Sequence, residues 1–374
     1  MDNKISFKGY DARPLRGVYL RDVGFGRPFY ALVKEVAGIL NKENVDVFVQ
    51  TKDGIVKNIF QEDKIQPRFD IWPFAQDRVT FINPKNFLAK GFIKLNENFE
   101  AISEFFNANL IKKDVHIEGG NYFFIKEGRK DSVLIGKDEF KLNKFSEIKE
   151  YFNGRNFCSV SQPDYHLDLS IRPLNNRNIL LNDPGELLNE IRQGLKRAVL
   201  VYERNKSPEL EKVIKNLEKV LNDAALATEQ YELKSQSKTL RQELKYNKFN
   251  VIRVPASITE PNPIGLRFNI DSMESRLQDA RKYSLNYLNA VVHERPDKSL
   301  VYITNKSNLD EKVGITPEIA RQIDFSFEQI FINSLKGIIK PEDIHFVGGE
   351  GNFISALMKK SDAGIHCLIS EIPQ

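Results

Sequence analysis

Short apolar runs and amphipathic stretches alternate along nearly the whole chain. Gly17–Arg21 and Val45–Gln50 read as strands, and Tyr30–Leu40 between them carries apolar positions at three-to-four spacing and reads as a helix. Further strands are predicted at Arg78–Ile82, Asn121–Ile125 and Ser132–Ile135, with a helix over Ser146–Phe152. His166–Ile171 and Arg177–Leu181 form a predicted hairpin turning at Asn175 and Asn176. Tyr287–Val292 and Ser299–Ile303 form a similar pair. Thr316 and Pro317 open a helix reaching about Leu335, and Ile344–Val347 and Ile365–Ser370 are the last strands. The recurring unit is a hairpin, a helix and then a further strand, repeated in architecture without residue identity.

The region 183–246 breaks this rhythm with an almost wholly helical pattern. Asp183 with Glu186 resembles a capping box, and Ser207 followed by Pro208 reads as an N-cap with proline at the first helical position. Leu210, Val213, Ile214, Leu217, Val220, Leu221 and Ala224 form one apolar stripe opposite Lys and Glu. A helical hairpin packed on the body accounts for the stripe; a cap that selects a substrate is the alternative.

Composition narrows the class. The 374 residues are 41% hydrophobic and 28% charged, as in an ordinary globular protein. Basic and acidic residues number 55 and 51, and no Lys/Arg stripe interleaved with aromatics stands out, so nucleic acid is not the expected partner. Two cysteines without CxxC or zinc-type spacing argue against a disulfide scaffold and a structural zinc, and no metal or cofactor is expected. No run reaches the roughly 18 apolar residues of a membrane span. The N-terminus lacks a secretory apolar core, so the expectation is a cytoplasmic protein, with export by a route that reads no N-terminal signal left open. The sequence sets no oligomeric state.

Candidate chemistry gathers in four segments: Arg68–Asp77, which contains Trp72, Phe74 and Gln76; His116–Asn121; Asp164–Asp168; and Asp362–Ile369. They supply a thiol (Cys367), an imidazole (His166) and carboxylates (Asp77, Glu118, Asp168), a set suited to attack on a cationic carbon. Each residue alone also has a plain structural reading. Cys367 could be core packing, Asp77 a turn residue and Glu118 a charge beside a tight turn. His166 and Asp168, at i and i+2 of a predicted strand, share one face. Gly119 and Gly120 lack side chains and let backbone or ligand come close. If Cys367 faces the site, strand alternation turns His366 away.

These segments resemble those of the guanidine-modifying enzymes, the pentein superfamily of agmatine, arginine and protein-arginine deiminases, dimethylargininases and amidinotransferases. Glu118–Asn121 is similar to their EGGN element, His166–Asp168 to HxD, and Gly364–Leu368 to the GxHC element near the C-terminus, closest to the agmatine and protein-arginine deiminase forms. Gln76 and Asp77 resemble the end of W-x-[RQ]-D, although Phe74 takes the tryptophan position and Trp72 lies two residues earlier. Tyr287–Ala290 resembles a strand of the agmatine branch. The matches run in order from about residue 70 to 370 and leave 1–66 and 183–246 unmatched.

The resemblance implies an α/β-propeller with pseudo-fivefold symmetry. It would consist of about five ββαβ-like units in one catalytic domain over 1–374, with 183–246 as a helical insertion. It implies a guanidine deiminase. Cys367 would be the nucleophile, His166 the acid and base, and Glu118 the partner of His166. Asp77, Asp168, Asn121, Gln76 and Trp72 would lie on the substrate side. The expected partner is a guanidinium-bearing small molecule or an arginine side chain of a protein.

The chemistry is coherent, because two carboxylates can each accept a pair of guanidinium N–H bonds while sulfur lies under the central carbon. Amidino transfer to an amine is the alternative reaction, and a pentein-fold protein that only binds is the non-catalytic one. Acyl transfer fits less well, since it needs donors aimed at an oxyanion and these segments offer acceptors. Gly348–Gly351 with Lys359 and Lys360 lacks the spacing of a phosphate loop and reads as a glycine turn.

Overall fold

A strand flanked on both faces by other chain segments is buried on both, and β15 (Leu300–Asn305) and β17 (Ile369–Pro373) are buried at every position. Such strands are the middles and joints of five small sheets. The computed structural model describes residues 7–9, 14–21, 27–51, 54–57, 75, 79–90, 99–113, 115, 117–127, 130–164, 166–174, 177–208, 210–212, 214–215, 218, 222, 237–255, 287–306, 328–348 and 364–374.

The sheets repeat one pairing scheme. β5 (Val79–Asn83) pairs antiparallel with β6 (Asn86–Lys90), which pairs parallel with β7 (Asn109–Lys113). β8 (Tyr122–Glu127), β9 (Lys130–Gly136) and β10 (Asn156–Val160) do the same. So do β11 (Ile171–Pro173), β12 (Asn178–Asn182) and β13 (Asn250–Val254), and then β14 (Val291–Glu294), β15 and β16 (Ile344–Val347). The fifth sheet joins the two ends of the chain: β17 pairs antiparallel with β2 (Leu15–Arg21), and β2 pairs parallel with β3 (Asp46–Thr51). β1 (Phe7–Gly9) extends the second sheet beside β8, and β4 (Gly54–Lys57) extends the fifth beside β3.

A parallel pair needs a crossover, and helices supply it. α1 (Arg27–Leu40) connects β2 to β3, and α2 (Phe99–Phe106) connects β6 to β7. α3 (Glu139–Leu142) and α4 (Phe145–Tyr151) connect β9 to β10. Leu32, Val33, Val36, Ala37 and Leu40 form the buried stripe of α1, its leucines and valines each worth about 1.5–3 kcal/mol of burial. The predicted helical region lies between β12 and β13, where the other sheets have shorter crossovers. It contains α5 (Pro184–Asn205) and α6 (Ser237–Tyr246). Asp183 caps α5 by accepting from Gly185 N at 3.1 Å. α6 packs on the body through buried Leu240 and Leu244, and its Glu243 accepts from Ser161 N at 2.6 Å. Much of the apolar stripe predicted over 210–224, the turn at 175–176 and the helix start at 316–317 lie outside the described residues. Among the described residues no helix is long and apolar enough to cross a membrane.

Three predicted strands begin later than the sequence pattern implies. Leu167–Leu169 is a single 3-10 turn, so β11 starts at Ile171 rather than His166. Residues 287–290 precede β14 as irregular chain. Ile365–Leu368 forms one helical turn, α7, before β17. In each case a short apolar run fits a tight turn as well as a strand, because both bury it.

Candidate active site

Two short turns meet where Gly120 leaves room. Gly119–Asn121 forms one 3-10 turn and Leu167–Leu169 the other. A Cβ on Gly120 would lie 2.8 Å from both Asp168 Oδ1 and His166 Nδ1, so only glycine permits this approach. Asn121 braces the junction. Its Oδ1 accepts from Leu167 N at 3.0 Å and from Gln162 Nε2 at 3.1 Å, while its Nδ2 donates to Glu139 Oε1 at 2.6 Å. Expected on the substrate side, Asn121 is engaged by protein at both ends of its amide. Ser170 Oγ donates to buried Asp164 across the same loop.

His166 and Asp168 reach a common site because the turn brings them together, not through alternation along a strand. His166 Nε2 lies 3.2 Å from Glu118 Oε2, and the Glu118 side chain stays one-third exposed while His166 is buried. Asp168 is wholly buried. Its Oδ2 accepts from Asn289 Nδ2 at 2.8 Å and lies 3.1 Å from His366 Nδ1. Its Oδ1 is buried without a hydrogen-bond partner among the described residues.

Cys367 enters from the opposite end of the chain. The helical turn of α7 replaces the predicted alternation, so neighbours 366 and 367 both reach inward, correcting the expectation that His366 faces away. Asn289 Nδ2 donates to Cys367 Sγ at 3.1 Å. One donor atom each from His166, Asp168 and Cys367 falls within a 4.8 Å span.

His366 is a neutral member of the cluster. Burial foremost, then the Arg172 guanidinium, push its pKa below the ordinary 6.5, against the opposing pull of Asp168. A neutral ring facing a carboxylate through Nδ1 must carry its proton there, so His366 donates to Asp168. Phe123 stacks on His366 at 6.3 Å between centroids, and the Arg172 guanidinium lies 5.7 Å from the Phe123 ring centroid. Arg172 pairs with Glu371 at 3.1 Å, and both are buried.

Of the residues singled out in the sequence, Cys367, His166, Asp168 and Glu118 come together. Asp77, Gln76, Trp72 and His116 lie outside the described residues. The sequence pattern gave no role to Arg172 or Glu371 and turned His366 outward. Asn289 was visible only inside the Tyr287–Ala290 resemblance, with no task attached. Gly348, read as a glycine turn, gives its N–H to Glu35 Oε2 at 2.7 Å.

The fold is similar to that of C. jejuni agmatine deiminase, with a TM-score of 0.51 and 13% identity over 100% of this chain and 98% of that chain. Identity at that level speaks for the fold alone. No family model matches the chain, and no curated protein matches it significantly.

Proposed function

We propose that this chain is a guanidine deiminase, hydrolysing a guanidinium group to a ureido product and ammonia. The observation that carries the reading is Asp168 Oδ1, a buried carboxylate oxygen with no donor among the described residues, beside a thiol and an imidazole. An unsatisfied buried acceptor is costly, and a planar cation rich in N–H groups is the ligand that relieves it. The likeness in fold to an agmatine deiminase supports the same reading. On this view the five sheets are the blades of a pseudo-fivefold propeller, and the site lies at its axis.

In the proposed reaction Asp168, with Asp77 as the second carboxylate, holds the guanidinium. Cys367 sulfur adds to its central carbon and forms a tetrahedral adduct. His166, oriented by Glu118, gives a proton to the departing nitrogen, and the C–N bond breaks to release ammonia and leave an S-alkylthiouronium. Water gives a proton to His166 and adds to the same carbon. The C–S bond then breaks, yielding the ureido product and the free thiol. A bound cation favours the thiolate, while the neighbouring carboxylate opposes it, so the nucleophile is activated by its substrate.

The substrate is agmatine, free arginine or a peptidyl arginine. Incubation with each, followed by assay of ammonia and ureido product, tests the reading. Wild-type protein is expected to release both products in equal amounts from at least one substrate, and Cys367→Ala to release neither. Equal release by the variant, or none by the wild type, overturns it.

A further inference from the structure

We propose that Asn289 belongs to the nucleophile's machinery, its one side-chain nitrogen donating at once to the sulfur of Cys367 and to the carboxylate of Asp168. The inference rests on reading Cys367 as nucleophile and Asp168 as the guanidinium's partner. Asn289 is wholly buried, and its Nδ2 lies 3.1 Å from Sγ and 2.8 Å from Asp168 Oδ2. Its Oδ1 accepts from the backbone N–H of Cys367 at 3.2 Å.

This orientation of the amide is fixed by its neighbours. Turned over, it would set a carbonyl oxygen against a carboxylate and an N–H against an N–H. The surroundings hold it in place: a Cβ on Gly364 would lie 2.5 Å from Asn289 Oδ1, and Asn305 Nδ2 reaches the Asn289 carbonyl at 3.4 Å. Gly364 therefore has a reason to be glycine, since it lets the turn bearing Cys367 close onto Asn289.

A sulfur set beside a carboxylate resists ionisation, because the two negative charges oppose each other. A cationic side chain could offset that repulsion, but it would also occupy Asp168 and repel a positive substrate. A neutral amide is the donor compatible with both tasks. It supports the thiolate, holds Asp168 by Oδ2, and leaves Oδ1 to the ligand. The assignment thus makes Asn289 the donor that holds sulfur and carboxylate together in the free protein and eases ionisation of the thiol, to which the bound cation then adds.

The test reads the thiol directly. The rate of Cys367 alkylation by iodoacetamide is followed against pH for wild type and Asn289→Leu, which keeps the volume and removes the donor. The midpoint is expected to move up by about one pH unit in the variant, and further in Asn289→Asp, which presents an acceptor to both groups. Unmoved midpoints in the folded variants overturn the assignment. If neither variant folds, wild-type protein carrying 15N-asparagine decides. One side-chain amide is expected to shift with the thiolate absorbance and to stop titrating in Cys367→Ala; if no amide follows the thiolate, the assignment falls. Ammonia release is assayed separately, so failure of the deiminase reading is distinguishable from failure of this one.

Discussion

His366 gives its only ring proton to Asp168, and burial beside Arg172 disfavours a second. Burial likewise lowers the pKa of His293, whose Nδ1 accepts from Leu15 N at 3.1 Å, and of His345. A histidine held below 6.5 in the fold takes up its proton first in the unfolded chain. The unfolded state then binds more protons, and stability rises with pH across that window. The contribution is complete above about pH 6.5 and is lost progressively as the pH falls toward the folded values. The melting temperature should therefore fall on acidification from about pH 7.5 to 5.5. A flat or rising melting temperature over that range would contradict the assignment of these rings as held neutral by the fold. At this scale the sequence was legible for chemistry and not for direction. His166, Asp168, Glu118 and Cys367 could be singled out by residue type, and the fold brings them together. The inward turn of His366 could not, because alternation presumes a strand and residues 365–368 are helical.

At the scale of elements, the site is a contact between turns rather than a row of strand residues. The 3-10 turns at 119–121 and 167–169 approach over Gly120, and α7 brings in the thiol at the mouth of β17. Alanine at 120 would have to displace Asp168 or His166, since real Cβ atoms do not come as close as 2.8 Å. Gly120→Ala should lower deiminase turnover by at least about 100-fold, the scale of a 1 Å misplacement, and cost about 1–3 kcal/mol in stability. Gly38→Ala, on the exposed side of α1 with nothing within 4 Å of a new Cβ, should leave turnover intact and stabilise by about 0.5–1 kcal/mol. Equal activity in the two variants would contradict the account. The close approach at Gly119–Gly120 was readable in advance, because adjacent glycines have few other uses. The partner in that approach was not, since it lies more than forty residues away in the chain, roughly the span of a whole supersecondary unit.

At the scale of the molecule, one pairing scheme occurs five times among the described residues, and the fifth sheet joins β17 to β2 near the chain's two ends. The hairpin, helix and strand rhythm was legible because each unit buries its middle strand and one helical stripe. The joining of the ends was not, because strand partners 350 residues apart leave no mark on local pattern. Cys367 belongs to the final segment, so its thiol reaches Asp168 and Asn289 only when the last strand has paired. Cys158, in the apolar cluster behind β10, serves as an internal comparison. The most direct measurement compares alkylation of the native protein by 2-chloroacetamidine and by neutral chloroacetamide, each referred to its rate with the unfolded chain and mapped by peptide mass spectrometry. The account predicts that Cys367 prefers the amidinium reagent by at least about tenfold, that guanidinium substrate protects it, and that Cys158 shows no such preference. Equal rates for the two reagents at Cys367 would contradict it.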